Sequence, residues 1–378
     1  MESALINFRF SQQLLVPAIL AGACWCSSLP LLLAAGPDAA ALQAARQKGV
    51  AYLVTSQSDD GSWSTAQSPG VSGLAVLALL KGGAPADHPA VVKGCQFLLK
   101  FRHDDGGIYS VGGHHGNYET SIALMALVAA NASGRYNDEI KMAESYLRQL
   151  QWDETEKIDK ADIRYGGAGY GRTGDRPDLS NTTFFLDALQ ATGATKEDPA
   201  FQKAVVFLSR CQNLESEHNT TAFASKINDG GFYYTPAAGG NSQAGNTEEG
   251  GLRSYGSMTY AGLKSMIYAG VTADDPRVKA ATDWIRKFYT VEENPGMGQQ
   301  GHYYYFQVFA KSLNAIGDSE FVDAKGVAHD WRKELADYLL QHQQSNGSWV
   351  NPNARWMEGD PNLSTAYGLL ALAYCDPQ

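Results

Sequence analysis

Apolar residues recur along this chain in two alternating patterns. In the first, they fall at helical spacing on one side only: Ala143, Tyr146, Leu147 and Leu150 follow i, i+3, i+4, i+7. Near the C-terminus Trp331, Leu335, Tyr338 and Leu339 follow i, i+4, i+7, i+8, while Arg332, Lys333, Glu334 and Asp337 face elsewhere. This spacing predicts amphipathic helices with one wet face. A bulky pair marks six such segments: Tyr52-Leu53, Phe97-Leu98, Tyr146-Leu147, Phe207-Leu208, Trp284-Ile285 and Tyr338-Leu339.

In the second pattern the segments 71–80, 121–130 and 364–374 are apolar nearly all round, which predicts helices buried on every side. Segments 181–193, 255–270 and 305–317 are weaker copies. A glycine turn precedes each: DDGSW, DDGGIY, YGGAGYG, NDGGFYY, GMGQQGHYYY and SNGSW. Glycine admits the positive φ that a tight turn needs. Gly82, Gly193, Gly270 and Gly317 stand where C-terminal caps of the second helices are expected.

The repeating unit is therefore amphipathic helix, glycine turn, buried helix, and it occurs six times. Six buried helices inside six amphipathic ones predict a closed ring, the α6/α6 toroid of an all-α protein. A ring needs no capping repeats, whereas an open solenoid, the alternative, does.

Two stretches carry a family resemblance. QSDDGSW (57–63) and QQSNGSW (343–349) resemble the QW motif of squalene–hopene and related terpene cyclases. Cys211-Gln212 with Asp229–Phe232 is similar to the repeats of protein prenyltransferase β subunits. The resemblance covers residues 41–378 at the level of repeat pattern. It implies an α/α toroid of that type, a hydrophobic, isoprenoid small molecule as partner, and structural roles for Trp63 and Trp349.

The chemistry of those families is only partly matched. The DxDD acid motif falls on Asp178-Leu179-Ser180-Asn181, with Ser180 in the proton donor's position. A hydroxyl is too weak an acid to protonate an alkene. The plain role for this stretch is a helix N-cap. The zinc ligands of the prenyltransferases fall on Gln300-Gly301-His302 and Ser364, and Gln and Ser are poor zinc ligands. His114, His115 and Glu119 form a loose HHx3E, read as solvated loop histidines. No phosphate loop, GxSxG or HExxH occurs, so no metal and no cofactor is expected.

The remaining candidates come from position. Equivalent points in the repeats of a ring converge on one rim. Asp178, Glu119 and His302, at or before the starts of inner helices, are the candidate catalytic residues. Tyr118, Asn181, Tyr255, Tyr303, Tyr305 and Ser364 are the candidate substrate-binding residues. Aromatic faces there could attract a carbocation, although core packing uses the same rings. Glu215–Gly256, longer than any other connection, is expected at the mouth as a lid or binding loop.

Charge and the N-terminus narrow the setting. The net charge of −10 argues against a nucleic-acid partner. Leu14–Gly36 is apolar and uncharged, with Arg9 before it and small residues after. Residues 1–40 therefore predict a secretory signal or a membrane anchor, and an exported protein close to a membrane. Cys95, Cys211 and Cys375 are too scattered for a disulfide framework or a CxxC site. The expected function is a divergent cyclase- or transferase-like protein holding an isoprenoid in a central cavity. The alternatives are a non-catalytic binding scaffold and a polysaccharide lyase or hydrolase.

Overall fold

Helix starts follow from the sequence. Asp198, Asp275 and Asp360 each precede a proline and accept a hydrogen bond from a first-turn N–H. An aspartate cap satisfies an orphan donor, and proline at the first helical position lacks a donor that would go unmet. The computed structural model describes residues 36–171 and 176–376. The apolar stretch at 14–36 lies almost wholly outside the described residues.

The amphipathic helices are α1 (Ala39–Ser56), α3 (Pro89–Leu99), α5 (Asn137–Arg148), α7 (Pro199–Arg210), α10 (Pro276–Phe288) and α12 (Trp331–His342). The apolar ones are α2 (Gly70–Lys81), α4 (Gly116–Ala129), α6 (Leu179–Ala191), α9 (Gly256–Tyr268), α11 (His302–Ile316) and α13 (Pro361–Leu372). A four-residue helix, α8 (Ala224–Ile227), lies in the long connection, and strands β1 (Phe321–Val322) and β2 (Ala328–His329) form a small antiparallel hairpin before α12.

The inner helices touch in the cyclic order α2, α4, α6, α9, α11, α13 and back to α2. Each outer helix packs on the inner ring, and α1 meets α12 beside the closure. This is an α/α toroid. The segments 71–80, 121–130 and 364–374 lie in the inner ring and are buried over most of their length, as their apolarity predicts. Helix α1 begins at Ala39, capped by Asp38, so the folded ring starts slightly before residue 41.

The glycine turns have a repeated geometry. Gly61 has φ +97°, and a Cβ there would lie 2.5 Å from the Lys93 carbonyl oxygen of the next outer helix. Gly347 makes the same approach to Lys48 of α1, across the closure. The glutamine before each turn clamps it. Gln57 Nε2 donates to Gly61 O (3.1 Å) and Ala90 O (3.0 Å). Gln343 Nε2 donates to Gly347 O (3.0 Å) and Ala45 O (2.9 Å), tying the last repeat to the first. Gln151 and Gln212 repeat the arrangement.

A hydroxyl on the following inner helix completes the unit. Ser72, Thr120, Thr182, Thr259 and Thr365 each accept the N–H two residues after a turn glycine, at 3.0 Å. Trp63 and Trp349 are fully buried, and their Nε1 atoms donate to Leu53 O (2.7 Å) and Leu339 O (2.8 Å). Gly82 and Gly317 are the C-caps of α2 and α11, and Gly193 and Gly270 directly follow the C-caps Thr192 and Ala269. Gly82 keeps φ −77°, and the left-handed residue is Gly83.

Candidate functional site

The ring has two mouths. The starts of the inner helices, with the glycine turns, surround the first. The ends of the same helices surround the second.

At the first mouth Asp178 is the N-cap of α6 and is 2% exposed. Its Oδ1 accepts the Asn181 N–H at 2.8 Å and its Oδ2 accepts Asn181 Nδ2 at 2.8 Å. Burial pushes its carboxyl up to about 6, although Asn181 and the Tyr234 hydroxyl favour the ionised form. Tyr234 comes from the long connection. That connection is stitched down rather than free: Leu179 N donates to Tyr234 O (2.8 Å), and Thr235 Oγ1 to Pro177 O (2.7 Å). It forms part of the wall at α6.

A packed aromatic cluster joins the inner helices here, with Phe184 and Tyr367 buried. Tyr118 of α4 meets Phe184 of α6 edge-on at 5.1 Å, Phe184 stacks on Tyr304 of α11 at 6.0 Å, and Tyr304 meets Tyr367 of α13 at 5.9 Å. Tyr118 and Tyr304 keep part of their surface open. Ser180 Oγ lies 3.3 Å from the Tyr304 hydroxyl. Tyr255, the residue before α9, is buried, and both Tyr304 and Asp178 contribute to raising its phenol well above the usual range after burial itself.

Glu119 is buried in a different way. Its carboxylate accepts Ser110 N (2.7 Å), Ser110 Oγ (2.9 Å) and Ser68 Oγ (2.6 Å), so it ties two inner-helix entries together.

The other candidates do not join this surface. His302 sits between the shells, with its ring 4.1 Å from Phe306 and 5.4 Å from Tyr338 of outer helix α12. Its Nε2 faces Val291 O and its Nδ1 faces Gln299 Oε1, both at 3.1 Å. Burial pulls its imidazole down to about 4. Tyr305 donates to Thr290 O at 2.6 Å and packs on Tyr260. Tyr303 packs on Phe306, and Ser364 donates to Glu358 O at 2.6 Å. The reason is helical geometry: side chains one or two residues apart on α11 point to different sides, and only Tyr304 of 302–305 reaches the axis aromatics. His302 and Ser364, aligned in sequence with zinc ligands, thus face other partners. Among the described residues no group of three His, Cys, Asp or Glu side chains could hold a metal ion.

Three functional-looking features escape the sequence reading. Glu358, before α13, accepts Tyr303 N (3.1 Å), Tyr304 N (2.8 Å) and Asn351 Nδ2 (2.7 Å), capping α11. Burial raises its carboxyl against those bonds. No local signal marks it, since it reaches α11 only through the ring. Trp356 and Met357 both adopt left-handed backbone (φ 55° and 65°) and are 47% and 55% exposed, with the Arg355 guanidinium 4.2 Å from the Trp356 ring.

The third feature lies at the second mouth. Asp187 of α6, Lys264 of α9 and Lys311 of α11 form a buried cluster. Lys264 Nζ bonds Asp187 Oδ1, and Lys311 Nζ bonds Asp187 Oδ2 at 2.8 Å. Burial pushes Asp187 up, but the two ammonium groups outweigh it and hold the carboxyl low. Burial pulls Lys264 down to about 8, whereas for Lys311 the attraction of Asp187 outweighs burial. Here a signal did exist: these charges interrupt the three weaker apolar segments at nearly the same distance from each helix start.

No protein-family model and no curated protein matches the sequence. Solved structures share the fold. The type II terpene cyclase MstE from Scytonema, in its apo form, matches with a TM-score of 0.53 and 15% identity, over 89% of this chain and 98% of that one. A family 76 glycoside hydrolase (mannosidase) from Bacteroides thetaiotaomicron VPI-5482 matches with a TM-score of 0.51 and 11% identity, over 88% and 97%. A D-mannose isomerase matches with a TM-score of 0.58 and 13% identity, over 89% and 97%. The chain is thus similar in fold, across nearly its whole described length, to α/α toroids that include a terpene cyclase and two proteins of carbohydrate chemistry.

Proposed function

We propose that this protein is a binding toroid of the terpene-cyclase and prenyltransferase type that holds a hydrophobic, isoprenoid molecule at the first mouth, without alkene protonation. The observation that carries this reading is the aromatic cluster of Tyr118, Phe184, Tyr304 and Tyr367, contributed by four inner helices, with Tyr118 and Tyr304 open to the mouth. Aromatic faces suit a branched, unsaturated chain, and their hydroxyls can orient a polar end. The fold match to MstE supports it, since a variant of that cyclase binds geranylgeranyl dihydroxybenzoate.

The proton-donor position speaks for binding over cyclisation. Ser180 faces Tyr304 there, and Asp178, the nearest carboxyl in the motif, holds its own helix start. Asp178, whose carboxyl burial raises, is the candidate proton donor for any remaining chemistry on a group more basic than an alkene. Glu119 and Asn181 serve as positioning residues, tying the entries of α2, α4 and α6. The apolar segment 14–36 supports an exported location.

Equilibrium binding of geranylgeraniol tests the reading. Saturable binding that weakens at least tenfold in Phe184→Ala and Tyr304→Ala, with folding retained, supports it. Absence of saturable binding to the wild type refutes it. A carbohydrate ligand is the second reading, favoured by exposed Trp356 beside Arg355. Mannose oligosaccharides that bind and quench Trp356 fluorescence, with geranylgeraniol inert, would establish that alternative.

A further inference from the structure

The second mouth contains a cavity of about 330 Å³. Residues from all six inner helices border it, among them Leu77, Met125, Asp187, Tyr268, Lys311 and Leu370. It lies at the ends of those helices, away from the aromatic surface at their starts. Exposed Lys81 and Gln190 mark where it meets solvent.

The charge balance there is uneven. One carboxylate, Asp187, faces two ammonium groups, and the side chains of Asp187, Lys264 and Lys311 are 7%, 1% and 12% exposed. Each of Asp187's oxygens already has its own lysine. An ammonium carries three donors. Lys264 and Lys311 each use one, on Asp187, and Lys264 Nζ also lies 5.5 Å from the centre of the Tyr268 ring, which leaves Lys311 as the ammonium that faces the cavity. Lys81, on the same cavity, makes no ion pair among the described residues.

A structural role can be weighed against this. Helix C-termini carry partial negative charge, so lysines near them are favourable. If that were their whole purpose, the remaining donors would end on terminal carbonyls. Among the described residues none does: Lys264 packs on the Tyr268 ring, and Lys311 borders open space. An uncompensated charge away from water is costly, and an acceptor in that space offsets the cost.

We propose that this cavity binds an amphiphilic anion. A small carboxylate or phosphate monoester head sits against Lys311 and Lys81, and a short apolar chain lies along Leu77, Met125 and Leu370. The volume is at the lower end of the ~300–1,000 Å³ common for small-ligand sites, which favours a short chain. This site is separate from the proposed isoprenoid surface and does not depend on it.

Calorimetric titration of the full chain with octanoate, octyl phosphate and 1-octanol provides the test. One anion per chain should bind at least tenfold tighter than 1-octanol, and the tighter of the two anions identifies the head. Lys311→Gln should remove that preference, with circular dichroism reporting the fold. Should that variant fail to fold, Lys81→Gln, at the exposed edge, should still weaken the anion by about threefold while leaving 1-octanol unchanged. Equal affinity for anion and alcohol overturns the proposal, as does anion binding that neither substitution alters. Wild-type protein that takes up neither anion at millimolar concentration also overturns it.

Discussion

Replacing Asp178 by asparagine isolates one buried acid. Asparagine caps a helix nearly as well as aspartate, so α6 keeps its start. Asn181 can turn its amide to suit the new side chain. What is lost is the charge. The carboxyl is raised from 3.8 to about 6 by burial. At 1.36 kcal/mol per unit, a shift of about two units corresponds to about 3 kcal/mol. The folded protein holds this proton more tightly than the unfolded chain does. Wild-type stability from this group is therefore complete below pH ~4, falls as the pH rises through ~6, and stays low above it. Urea unfolding of both proteins from pH 4 to 7.5 measures the gap. Asp178→Asn should gain about 3 kcal/mol relative to wild type across that range, whatever its offset at pH 4. A gap that stays constant, or moves the other way, refutes the claim that Asp178 is held as a buried acid.

Trp63→Ala and Trp349→Ala should each cost ~3–5 kcal/mol, since both rings are fully buried and both indole N–H groups are bonded; urea melts decide this. Asp187→Asn leaves two buried lysines without their carboxylate and should cost ~3–5 kcal/mol by the same assay, whereas replacing all three residues with Leu and Met should recover most of it. Incubation with squalene, analysed by gas chromatography, should give no cyclised product, because Ser180 stands at the donor position.

The ring was legible because its grammar is local. Helical period and glycine turn follow from a few neighbouring residues and recur in all six repeats, while all-round apolarity marks α2, α4 and α13. The glutamine and tryptophan of QSDDGSW and QQSNGSW fit the same logic, although only the structure reveals that Gln343 reaches α1. The candidate site was less legible. Rim position could be inferred from repeat equivalence, and side-chain direction could not. A step of one residue along α11 separates His302, packed against the outer shell, from Tyr303, and a further step reaches Tyr304 on the axis. Glu358 caps a helix from another repeat, so no sequence window contains both partners. The charges at 187, 264 and 311 stand in the three weaker apolar segments, with no local partner to mark them. Their meaning depends on the ring bringing three repeats together.

Photo-crosslinking with a diazirine analogue of geranylgeraniol bears most directly on the isoprenoid-binding claim. Labelling should saturate, compete with unlabelled geranylgeraniol, and map to peptides within 116–129, 179–191, 302–316 and 361–372, the helices that carry Tyr118, Phe184, Tyr304 and Tyr367. Labelling that does not compete, or that falls only on the outer helices, would contradict it.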